Sequence, residues 1–170
     1  MKTYRTITNT AITILLIGCF TLTAFANSSW VWISETRPYD VLPFVIVGTL
    51  LIETAAINLL LKVGNWNKVF TGVLIGNLIS FAVPYIGYSN TTPYAGYYTL
   101  GEILNRGPYY TVGGAFLIIT VLVELPFMYF WLKKDVSDKM KLIAVTVIAN
   151  VVTTFAVAAV ERIFCEGYYA

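Results

Sequence analysis

The sequence predicts an all-α integral membrane protein: a four-helix bundle made of two parallel-repeat helical hairpins, preceded by a signal peptide or signal-anchor helix. Three observations predict it. Hydrophobic residues make up 58% of the 170 positions and charged residues 12%, against about 45–50% and about 25% in ordinary domains; the mean hydropathy is +0.73. Four apolar runs of about 20 residues follow an apolar first segment, each long enough to cross a bilayer as a helix. The first pair of runs also resembles the second. This composition argues against a water-soluble globule, a disordered chain, a disulfide scaffold and a nucleic-acid binder.

The first segment, 1–26, carries Lys2 and Arg5, then an apolar stretch, then Ala24, Phe25 and Ala26. That is the order of a secretory signal peptide, with cleavage expected after Ala26. An uncleaved anchor helix is the alternative. A third reading is a lipobox at Leu16–Cys19, with Cys19 lipidated. All three place Asn27 outside.

The membrane domain then covers 27–170, with spans at 41–61, 69–88, 112–132 and 142–160. Backbone polar groups must be satisfied within each span, so helices are expected. Short turns join the first span to the second and the third to the fourth. With Asn27 outside, the Lys-rich turns 62–68 and 133–141 are cytoplasmic. They hold Lys62, Lys68, Lys133, Lys134, Lys139 and Lys141 against Asp135 and Asp138. The outside holds only Arg37, Arg106 and Arg162 as basic residues. That bias obeys the positive-inside rule and predicts a multi-pass cell-membrane protein with both mature termini outside. Trp30, Trp32, Tyr39 and the tyrosines between 85 and 110 are expected as an interfacial belt. A short helix is expected over 97–104.

The internal repeat pairs 41–88 with 112–160. Glu53 aligns with Glu124, Asn77 with Asn150, and Ser80 with Thr153. The Glu and Asn matches carry the alignment, because polar residues at mid-span are rare. Both glutamate helices run in the same sense, so the two copies are parallel. The intramembrane polar site expected from this is Glu53, Glu124, Asn77, Asn150, Ser80 and Thr153. Lys62 and Lys133 lie about 13 Å along the helices from the acids, too far to neutralise them. Pro126, two residues after Glu124, has Ala55 as its counterpart. It is expected to kink its helix and widen any pocket on the Glu124 side. Gly72 and Gly76 are expected to admit a close helix neighbour.

Three functions fit these residues. The leading one is cation or proton handling through the paired glutamates. A second is a structural or accessory subunit of a membrane complex, in which the Glu/Asn pairs only hold helices together. The third is a membrane enzyme acting on a lipid-like substrate. The expected partners are the lipid bilayer and a homo-oligomer or larger membrane complex, with no nucleic acid. The chain has no histidine, and its two cysteines make neither a CxxC pair nor a four-ligand zinc site. No nucleophile–base pair is visible, so no catalytic residue, cofactor or metal is assigned.

Overall fold

The structure is a computed structural model that describes residues 30–91, 99–105, 107 and 114–169. The signal segment 1–26, Cys19 and the tyrosines 94, 97, 98, 109 and 110 lie outside the described residues. The elements in order are β1 (Trp30–Trp32), α1 (Pro38–Leu61), α2 (Trp66–Thr91), α3 (Leu100–Leu104), α4 (Gly114–Leu132), α5 (Lys139–Phe164) and β2 (Gly167–Tyr169).

Local chemistry sets the helix ends. Pro38 stands at the first position of α1, where its missing N–H costs nothing. The Asp40 carboxylate accepts from the Arg37 N–H at 2.8 Å and closes a capping box. The α1–α2 turn needs two left-handed residues, Lys62 (φ 54°) and Gly64 (φ 77°). It is pinned by the Gly64 N–H donating to Asn58 Oδ1 at 3.0 Å. Asn65 caps α2 by accepting from the Lys68 N–H, and Asp138 caps α5 by accepting from the Lys141 N–H, both at 3.0 Å.

At the other end of the bundle, β1 and β2 pair antiparallel, Val31 opposite Tyr168. This clasp joins the start of α1 to the end of α5, so those two helices run antiparallel. Asn105 ties the α3 turn into the same corner. Its carbonyl accepts from Trp32 Nε1 at 2.7 Å, and its side chain accepts from the Tyr39 N–H at 2.9 Å.

Packing across the two halves is more extensive than packing within either hairpin. α1 lies chiefly on α5, and α2 chiefly on α4. A close-packed apolar cluster fills the end nearest the two short turns. It contains Ile57, Leu61, Val69, Val73, Met128, Leu132, Val136, Leu142 and Val145. Toward the middle the core turns polar. Glu53, Thr54, Asn58, Ser80, Glu124, Thr146, Asn150 and Thr153 are all buried, as is Glu161 near the clasp.

This arrangement corrects the membrane-embedded pair of hairpins. The molecule is one compact four-helix bundle, and each helix has its main partner in the opposite half. Buried polar and charged side chains are nearly as numerous as buried hydrophobic ones among the described residues. Such a network is typical of a self-contained globular core, because Glu53, Glu124, Asn77, Ser80 and Thr153 bond one another within the chain. With that reading go the lipid bilayer as partner, the multi-pass cell-membrane localisation and the assigned sidedness of the Lys-rich turns. Among the described residues, α1 and α5 are long and apolar enough to cross a membrane, by length and composition only, in place of the four spans expected. The apolar surplus in the sequence instead coats the outward helix faces, where Phe44, Leu51, Leu122 and Phe155 are exposed.

Candidate functional site

The buried centre is built by four helices. α1 supplies Glu53, α2 supplies Asn77 and Ser80, α4 supplies Glu124, and α5 supplies Asn150 and Thr153. All six candidate residues read from the sequence meet there. Asn77 Nδ2 donates to Glu53 Oε2 at 2.8 Å, and Thr153 Oγ1 donates to Glu53 Oε1 at 2.8 Å. Ser80 Oγ donates to Glu124 Oε1 at 2.6 Å. Asn150 faces the Glu124 side chain and favours its ionised form. Each acid therefore faces one amide of its own hairpin and takes one hydroxyl from the other. The pattern repeats between the halves, with Ser80 and Thr153 as the exchanged pair.

The helix backbone orients these donors. Asn77 Nδ2 also reaches the Val73 carbonyl at 3.0 Å, and Asn150 Nδ2 reaches the Thr146 carbonyl at 3.1 Å. Both amides are thus anchored four residues back on their own helices before they meet an acid. Ser80 Oγ has a second acceptor, the Asn77 carbonyl at 3.1 Å. If Glu124 carries a proton, it can donate to Ser80 Oγ while the hydroxyl turns to that carbonyl. The Glu124–Ser80 contact then holds in either protonation state.

Burial pushes the Glu53 carboxyl above the usual carboxylate range, opposed by its bonds from Asn77 and Thr153. Glu124 is pushed up to about 7, first by burial and then by the nearby Glu53 charge, with the Ser80 bond and the Asn150 amide acting the other way. The two acids lie close enough that the charge of one disfavours ionisation of the other.

Two expectations about shape come out differently. Pro126 does lie inside α4, yet the cavity beside the polar centre is lined by Glu53 and not by Glu124. Gly72, rather than Gly76, makes the tight approach. A Cβ on Gly72 would sit 2.7 Å from Trp131 Cδ1, whereas one on Gly76 would make ordinary contacts. Trp131 enters that notch and donates from Nε1 to the Lys68 carbonyl at 3.0 Å.

Sequence reasoning overlooked Thr54, Thr146 and Glu161 as buried polar groups. Threonine carries no signal inside an apolar run, since its methyl fits a core and its hydroxyl can bond its own helix. Glu161 reads as a helix-end surface charge, but the β1–β2 clasp folds over that end. No group of His, Cys, Asp and Glu able to hold a metal occurs among the described residues. The chain matches no protein-family model, no curated protein and no solved structure.

Proposed function

We propose that the chain is a structural element, a four-helix unit that acts as a structural or accessory component by holding one helix register. The observation that supports this is the cross-bonding of Glu53 to Thr153 and of Glu124 to Ser80. Both acids are held by neutral donors on neighbouring helices, so they knit the bundle together. The expected cation or proton handling is corrected accordingly: the acids are engaged as helix-to-helix ties in the core. A one-residue slip of α5 against α1 would strand the Glu53 carboxylate without its hydroxyl partner. Polar groups that lose partners in a core cost about 1–3 kcal/mol each, so the network disfavours every register but one.

The test is thermal unfolding of Ser80→Ala and Thr153→Val. The structural reading expects each to destabilise the fold by about 1–2 kcal/mol. It also expects broader, less cooperative transitions as register specificity is lost. Two variants with wild-type midpoints and widths would contradict it.

A further inference from the structure

A cavity of about 280 Å³ opens beside the polar centre. Small-molecule sites typically begin near ~300 Å³. Its walls are apolar and include Leu42, Ile46, Leu117 and Val157. Its inner end is polar, with Glu53, Asn150 and the hydroxyl-bearing Thr154. Leu42 precedes Glu53 on α1 by about 16 Å of helix rise, so the lining runs along the helix.

The polar end is rich in acceptors, and among the described residues no lysine or arginine lines it. Glu53 accepts one bond on each carboxylate oxygen, which leaves further lone-pair positions on both. Asn150 is only 3% exposed. Its Nδ2 is committed to the Thr146 carbonyl. Its Oδ1 accepts no bond from any described residue. That oxygen is open to a donor placed in the cavity, which Asn150 lines.

We infer that this cavity is a binding site for a lipophilic amine, its protonated nitrogen held by Glu53 and Asn150 Oδ1 and its apolar body laid along Leu42, Ile46, Leu117 and Val157. An ammonium brings three donors and a positive charge to a place that offers acceptors and uncompensated acid. An alcohol of the same shape brings a single donor and no charge. A carboxylate of the same shape is repelled by Glu53 and by Glu124 behind it. The inference adds a ligand to the bundle and does not depend on the structural reading above.

The experiment is calorimetric titration of octylammonium chloride into the full chain at neutral pH, below micelle-forming concentrations. Octan-1-ol and octanoate are titrated in parallel. One saturable site is expected for octylammonium, at least about tenfold tighter than for octanol, with no binding of octanoate. Glu53→Gln is expected to weaken octylammonium by about tenfold. Ile46→Trp, at a wall position 47% exposed, is expected to fill the mouth and abolish binding while leaving the helical circular dichroism unchanged. This second variant keeps the test decisive should Glu53→Gln fold poorly. Octanol binding as tightly as octylammonium, the absence of a saturable site, or full affinity in Ile46→Trp would each overturn the inference.

Discussion

The apolar end of the bundle and its polar centre are about two helical turns apart, yet they do different work. Around Leu132, Leu142 and Val69 the side chains are wholly buried and carry no directional groups. Contact there rewards volume, and many helix registers could provide it. Around Glu53 and Glu124 the side chains of Asn77, Ser80 and Thr153 each donate to an acid at hydrogen-bond distance. Contact there rewards one arrangement only. The difference teaches that stability and uniqueness are set by different layers of the same core.

The largest effect should come from the apolar end. Leu132→Ala removes a side chain with no exposure at the meeting point of the helices. It is expected to cost about 3–4 kcal/mol in denaturant unfolding. A loss under about 1 kcal/mol would mean that this end is loosely packed and that the contrast is overdrawn.

Next comes the pH response of the centre. Glu124 has its folded pKa raised from 4.5 to about 7. The folded state therefore holds its proton more tightly than the unfolded chain does. Its contribution is fully present below about pH 4.5 and falls away as pH rises through about 7. The drop is on the order of 3 kcal/mol for a shift of this size. Glu124→Gln should flatten that window in the difference between variant and parent profiles, with Glu53 leaving a residual slope. A profile unchanged by the substitution would move the titrating group elsewhere.

A smaller effect sharpens the boundary between the two layers. Gly72→Ala drives a methyl into Trp131 and disturbs the bond from its indole to the Lys68 carbonyl. A loss of about 1–3 kcal/mol is expected, with a change in Trp fluorescence. No change in either readout would show that the notch is not needed.

The helices and the six polar residues are legible in the sequence for a simple reason. Glu53, Asn77, Glu124 and Asn150 interrupt runs that are otherwise apolar, and aligning the runs places Ser80 opposite Thr153. The assembly is not legible in the same way. α1 and α5 are apolar around most of their circumference, so no stripe marks the face each turns inward. Phe44 and Leu51 look no different in sequence from Ile57 and Leu61, yet the first two are exposed and the last two are buried. Without that stripe, composition points to lipid as the surroundings. The pairing of α1 with α5 depends on contacts across about a hundred residues. The cavity escaped notice because it depends on which wall residues fail to meet. Pro126 drew attention to the wrong side.

The most direct test of the central claim is a double-mutant cycle on Glu53→Gln and Thr153→Val, read by equilibrium unfolding. A tie between the two halves predicts a coupling of at least about 1 kcal/mol beyond the sum of the single effects. Effects that add within about 0.3–0.5 kcal/mol would show that the two side chains act independently, and would contradict a bundle whose halves are locked together through their acids.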